Sequence, residues 1–277
     1  MKRNSYSSLA FAVVVALGLV ASSLAIAQCI VCPGNTPNPN SAIIMPRVWN
    51  DCPASTLTLV NNYPALISMN DTDVECVGWT NLHVWAFSED GVTPAVFENC
   101  SHYKFSAVFT GSLSGAGVGE GGLRLSPWWS LQADGRFMVR VGGNGEIACF
   151  GGRLPFYSFT SAFGVTYTPG TPIWMEISYN PHALTLADPA TIGYSIYYQG
   201  NSYYSGAIAF DQGNPAEGHG EYGALCPAQV GGFFQEPNGS GGALFNFTGQ
   251  WQNIQFTGPE ATSTNHATWG QLKSIYR

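Results

Sequence analysis

A two-residue alternation of side chains about a Gly/Asn turn constrains this chain more than any other feature. Arg136-Phe-Met-Val-Arg-Val141 runs into Gly142-Gly-Asn-Gly145 and then Glu146-Ile-Ala-Cys-Phe150. Alternation on both sides of a Gly/Asn turn predicts a β-hairpin. Phe137, Val139 and Val141 share one face of the ribbon, and Arg136, Met138 and Arg140 share the other. The first face is expected to be dry and the second to meet a polar partner. Pro127, Trp128 and Trp129 precede the hairpin, which puts an aromatic pair in a loop at the sheet margin.

The same period recurs along the chain. Ile173, Met175, Ile177 and Tyr179 alternate with Trp174, Glu176 and Ser178, so Trp174 and Glu176 are expected to point outward. In Asn81-Leu-His-Val-Trp-Ala-Phe-Ser88 both faces are apolar, as in a central strand between two layers. Thr191–Tyr198 and Tyr203–Phe210 flank Gln199-Gly-Asn-Ser202 as a second hairpin. Ser55–Val60, Tyr63–Met69, Phe105–Thr110, Val230–Gln235 and Gly249–Thr257 read as further strands, with Asn61-Asn62 as the first turn. No helical period of useful length precedes the C-terminal tail. Only 10% of residues are charged and 33 are Gly, a composition that favours short strands and tight turns over solvated helices. Together these features predict an all-β fold, an antiparallel β-sandwich.

Lys2 and Arg3, the apolar run Leu9–Val20 and Ala25-Ile26-Ala27 form a secretory leader with a small-residue cleavage site. Removing it takes the formal net charge from −7 to −9, because two cations leave and all 17 Asp+Glu stay. That balance argues against nucleic acid or an anionic membrane as partner, and no later stretch is long enough to span a bilayer as a helix. The expected organisation is a leader over 1–27, a Pro/Asn-rich linker over 28–52, the sandwich over 53–257 and a linker with a short tail over 258–277. In that tail Trp269, Leu272 and Tyr276 share a helical face beside Lys273 and Arg277, which suggests docking to a surface or export partner. The alternative is a frayed terminus. All seven Cys (29, 32, 52, 76, 100, 149, 226) follow the leader, so disulfides are permitted and at least one Cys is unpaired or modified. Cys29 is a candidate for lipidation, although Gln28 suits that poorly. Cys29-Ile-Val-Cys32 has redox or zinc spacing but no second pair, so a structural disulfide or a flexible end fits it better.

Two oxygen-rich segments are candidates for calcium: Asn70–Glu75, and a loop with Asp211, Asn214 and Glu217. Each would supply only part of a shell, and the same residues make ordinary turns. The His/acid grouping Glu217-Gly-His219-Gly-Glu221 reads as a flexible loop rather than a zinc site. The glycine runs enter strands and not helices, which removes the nucleotide-binding reading.

The series GEGGLRL, RFMVRV, GEIACF, WMEISY, VGGFFQ and WQNIQF resembles the strands of the concanavalin A-like lectin/glucanase superfamily, over about Pro53 to Thr257. The resemblance implies a jelly-roll sandwich whose curved sheet carries a ligand groove, and its lectins often bind calcium. Its catalytic members carry two carboxylates close together on one strand, typically Glu-x-Asp-x-x-Glu, and this chain has no such run. Glu176 is the best single catalytic candidate, with a solvated strand glutamate as the plainer reading; Glu120 and Glu146 reach it only if the sheet order allows. Sugar rings have apolar faces and hydroxyl rims, so flat aromatics beside charged groups suffice for binding. The candidate ligand set is Trp128, Trp129, Arg136, Arg140, Trp174 and Glu176, although a tryptophan of the pair can equally plug the sandwich end. The expected function is a secreted, non-catalytic protein that binds a polysaccharide or cell-surface glycan. The alternatives are a glycoside hydrolase or polysaccharide lyase-like enzyme of the same fold, and a structural envelope protein.

Overall fold

A computed structural model describes residues 37–76, 78–97, 101–115, 117–126, 135–151, 154–209, 222–223, 229–238 and 244–258. The leader, Cys29, Cys32, Trp128, Trp129, the calcium candidates Asp211, Asn214 and Glu217, and the C-terminal tail lie outside the described residues.

Fourteen strands are described: β1 Ser41–Trp49, β2 Thr56–Asn62, β3 Leu66–Val74, β4 Gly78–Ser88, β5 Tyr103–Gly115, β6 Gly119–Ser126, β7 Arg136–Val141, β8 Ile147–Phe150, β9 Tyr157–Ser158, β10 Ile173–Asn180, β11 Thr191–Tyr198, β12 Asn201–Ala209, β13 Gln229–Asn238 and β14 Phe245–Thr257. They form two seven-stranded sheets, one ordered β1-β4-β13-β6-β7-β8-β9 and the other β12-β11-β10-β5-β14-β3-β2. Every pairing is antiparallel, as the sequence led us to expect. Because the chain passes repeatedly from one sheet to the other, neither sheet is completed without strands from both halves of the sequence.

The alternation of β10 survives intact: Ile173, Met175, Ile177 and Tyr179 are buried between the sheets, while Trp174, Glu176 and Ser178 lie outside. In β7 the inward set is Phe137, Val139 and Val141, as expected. Met138, on the outward side, is nevertheless 1% exposed and joins Leu82, Val84, Ala148 and Phe233 in a second apolar cluster. The outward face of the first sheet is therefore not simply polar. β4 supplies both clusters, His83, Trp85 and Phe87 inward and Leu82 and Val84 outward, which explains why its sequence is apolar on both sides.

Glycines on inward positions let large rings approach the backbone. A Cβ on Gly232 would overlap the Trp85 indole and stand 2.7 Å from Trp251 Nε1. Trp251 in turn donates Nε1–H across the interior to the carbonyl of Gly122 at 2.8 Å. The β11–β12 turn also follows its sequence signal, with Gln199 at φ 51 and Gly200 at φ 81. Two left-handed residues in a two-residue loop match the twist of the flanking strands.

Two expectations are corrected. The sandwich starts at Ser41 and not at Pro53: β1, which the sequence reading included in the Pro/Asn-rich linker over 28–52, is an edge strand on β4, a position that tolerates its Pro46. The first turn falls at Tyr63–Ala65, so that Asn61 and Asn62 complete β2 and pair with Ile67 and Leu66. Among the described residues there is one short helix, α1 (Phe159–Phe163), too short to give the sequence a helical period; Ser158 caps it by accepting from Ser161 N, and Gly164 ends it at φ 70.

Candidate functional site

The outward candidates of the sequence reading fall on opposite sides of the molecule. Arg136 and Arg140 lie on the exterior of the first sheet, and Trp174 and Glu176 on the exterior of the second. Glu120 projects with the two arginines, so it cannot approach Glu176.

On the first sheet, Glu120 is fully buried. Arg140 donates to its Oε1 from Nε at 3.1 Å and from Nη2 at 2.6 Å, and Arg136 Nη1 stands 3.7 Å from Oε2. Arg136 also donates to Gln235 Oε1 at 2.7 Å, and its guanidinium lies 5.0 Å from the Phe233 ring and 5.8 Å from that of Trp79. Register explains the grouping, since Gln235 is opposite Glu120 and Glu120 opposite Arg140 across three neighbouring strands. A carboxylate so clamped is a buried counter-charge to two partly buried guanidinium groups. It is poorly placed to take a proton from a substrate.

The exterior of the second sheet is different in kind. Strands β5, β10, β11, β12 and β14 contain a single Lys and a single Glu, and these two pair, Lys104 Nζ to Glu176 Oε2 at 3.7 Å. Around them the outward positions are Ser106, Ser178, Ser195, Thr191, Gln252 and Gln255. Trp174 lies directly opposite Tyr197 on β11, which is 52% exposed, and Tyr204 on β12 is 53% exposed. Two cavities open on this face. One of about 660 Å³ is lined by Lys104, Ser178, Gly193 and Tyr204, and one of about 600 Å³ by Trp174, Val108 and Gln255. Tyr197, Tyr204 and Gly193 were missed by the sequence reading, although the alternation around the Gln199-Gly200 turn already puts Tyr197 on the face of Ser195.

A third constellation, also missed, is sealed between the sheets. Asp71 (β3), His83 (β4) and Glu236 (β13) bring ligand atoms within 4.8 Å of one another, all three buried. Such a donor set could hold an ion, but the hydrogen bonds favour protons. His83 Nδ1 accepts from the Arg47 amide at 3.2 Å, which selects the tautomer with hydrogen on Nε2, and Nε2 donates to Asp71 Oδ2 at 3.1 Å. An ion at Nε2 would require the proton on Nδ1, against the Arg47 N–H. Arg47 Nη2, 3.8 Å from Asp71 Oδ1, already supplies positive charge. The Asn70–Glu75 calcium candidate is corrected as well, because 70–74 lie in β3, where Asp71 is buried between the sheets and Asp73 is exposed. The left-handed Asp73, at φ 60, breaks the two-residue alternation there, so the two carboxylates do not converge on one ion.

Burial pushes the Asp71 carboxyl up, but hydrogen bonds from His83 and Asn81 outweigh it and leave the group below its ordinary value. Burial lowers His83, which stays neutral. Glu236 is raised well above 4.5, first by burial and then by the Asp71 charge, so it keeps its proton. Asn81 extends the network, donating from Nδ2 to Asp71 Oδ2 at 2.8 Å and accepting on Oδ1 from Cys52 N at 3.0 Å. The Cys52–Cys76 disulfide closes the adjoining loop.

No family model matches the chain, and no curated protein matches it in sequence. Among solved structures it is similar to a seed lectin of Lotus tetragonolobus, at 9% identity and TM-score 0.40 over 82% of this chain and 97% of that one. It is also similar to a protein of unknown function from Shewanella oneidensis, at 11% identity and TM-score 0.39 over 78% and 81% of the two chains. A sialidase aligns at 11% identity and TM-score 0.40 over 79% of this chain and 17% of its own. Likenesses this distant say nothing of ligand or chemistry, and those rest on the geometry alone.

Proposed function

We propose that this protein is an exported, non-catalytic β-sandwich that binds a polysaccharide or cell-surface glycan, in keeping with the carbohydrate-binding members of the concanavalin A-like superfamily. The observation that carries the reading is the exterior of the second sheet. There Trp174 and the exposed Tyr197 face each other across β10 and β11, beside a field of hydroxyl and amide groups. An aromatic surface rimmed by groups that both donate and accept matches the apolar faces and hydroxyl rims of pyranose rings. The disulfide Cys52–Cys76 supports an oxidising compartment.

The carboxylates placed among the described residues of the two candidate faces and the interior support binding without cleavage. Glycoside hydrolysis uses two carboxyl groups flanking an open bond site. Glu176 is engaged by Lys104, Glu120 is clamped and buried, and Asp71 and Glu236 meet only inside the sandwich. Purified mature protein is expected to bind on a glycan array and to release no reducing sugar from the glycans it binds. Turnover that disappears in Glu176→Gln would establish the enzyme reading instead. Silence in both assays would leave a structural role.

A further inference from the structure

Tyr204 is half exposed, yet its ring does not stand into solvent. A Cβ on Gly193 would lie 2.8 Å from Tyr204 Oη, 2.9 Å from its Cε2 and 2.8 Å from Ser178 Oγ. The phenol therefore leans across to β11, with its Oη and Cε2 edge against Gly193, although the cross-strand partner of Tyr204 is Ser195. Only glycine at position 193 permits this approach, and the result is a half-exposed aromatic ring held against the sheet. The ring borders the cavity of about 660 Å³, whose lining takes Tyr204 from β12, Gly193 from β11, Ser178 from β10, Lys104 from β5 and Thr257 from β14. The cavity is thus a trough running across five neighbouring strands rather than along one.

We propose that this trough holds an extended, uncharged polysaccharide segment laid across the strands, with one pyranose ring stacked on Tyr204. The inference rests on the glycan-binding reading and adds its ligand class and place. Five strands spaced about 4.8 Å apart give a trough about 19 Å long, the span of a short oligosaccharide rather than a single sugar. The charge pattern selects a neutral ligand. Lys104 and Glu176 are the only charged residues in these five strands and they pair with each other, so the Lys104 charge is already met by a carboxylate and His102 is the one other basic side chain in the lining. A chain with a formal net charge of −7 also repels a polyanion at long range. Ser178, Thr191 and Asn180, which share the lining, offer groups that donate and accept as sugar hydroxyls require.

The test is calorimetric titration of the full chain with cello-, manno- and laminari-oligosaccharides from monomer to hexamer, and with polygalacturonate, at low and high salt. At least one neutral series should bind, with affinity rising with length and then levelling off, independent of salt. Tyr204→Ala should weaken that binding about threefold to tenfold, as loss of one stacking partner does. Gly193→Ala should weaken it too while keeping the tyrosine, because the added methyl lifts the ring. Thermal melts of both variants check that the fold is kept, and Tyr204→Ala, on the surface, serves if Gly193→Ala does not fold. Failure of every glycan to bind would remove the functional reading and this inference together. Salt-weakened binding of polygalacturonate alone would keep glycan binding and overturn the neutral ligand. Neutral binding untouched by Tyr204→Ala would keep glycan binding and overturn the trough.

Discussion

Asp71→Ala should destabilise the protein by about 3–5 kcal/mol, the cost of deleting one member of a buried charge network and leaving its partners behind. Asp71 is fully buried and accepts from His83 Nε2 and Asn81 Nδ2 on the same oxygen, with the Arg47 guanidinium facing the other. Removing it strands the His83 N–H in an apolar setting, where Phe234 stacks on the imidazole at 4.7 Å. It also leaves Arg47 without its carboxylate. Asn81 suffers less, since Nδ2 also donates to the Cys52 carbonyl and to Ser55 Oγ. Asp71→Asn keeps an acceptor for the imidazole and should cost less. Urea unfolding at pH 6 measures both, and a loss below about 1 kcal/mol for the alanine variant, the size of one ordinary hydrogen bond, would show that the network does not hold the sheets together.

Glu236→Gln should change the shape of the stability–pH curve more than its height. In the folded chain Glu236 keeps its proton well above 4.5, while in the unfolded chain it loses it near that value. Above pH 4.5 the folded state therefore binds the extra proton, and stability falls as pH rises, by up to about 1.4 kcal/mol per unit, until the folded group itself ionises. His83 acts in the opposite sense. Its folded value lies below 6.5, so stability falls as pH drops below 6.5, where the unfolded imidazole gains a proton that the folded one refuses. Asp71, lowered from 3.8, adds a further loss at still lower pH. The wild type should thus pass through a maximum in mildly acidic solution and weaken toward alkaline pH. The glutamine variant, which cannot ionise, should rise to a plateau above pH 6.5. Melting temperatures from pH 4 to 9 decide the matter, and parallel curves for the two proteins would show that Glu236 is already ionised in the fold. Asp71→Ala should end the alkaline decline at a lower pH, because the Asp71 charge is one of the two causes that raise Glu236.

How much of this was legible beforehand depends on what kind of statement each residue makes. Ile173, Met175, Ile177 and Tyr179 announced their burial, and Trp174 and Glu176 their exposure, because successive side chains of a strand must leave on opposite sides. His83 announced itself in the same way, sharing a face with Trp85 and Phe87. What alternation does not contain is sheet membership. Arg136, Arg140, Trp174 and Glu176 were all correctly read as outward, yet β7 and β10 belong to different sheets, and outward then means opposite sides of the molecule. Nor does it report what covers an outward position. Met138 alternates with buried residues and is itself buried, in a cluster assembled from β4, β7, β8 and β13.

The sequence by itself thus determined the alternation of β7 and β10, the hairpin centred on Gln199-Gly200 and the all-β class, since each follows from backbone geometry over a few neighbouring residues. The tertiary structure alone decided that β1 belongs to the sandwich, that Asp71, His83 and Glu236 meet, and that Tyr204 leans onto Gly193. Each of those depends on a pairing between strands far apart in the chain or on the lean of a side chain toward a neighbouring strand. Such pairings are selected by the burial of the whole interior and the register it imposes, and no local pattern records them.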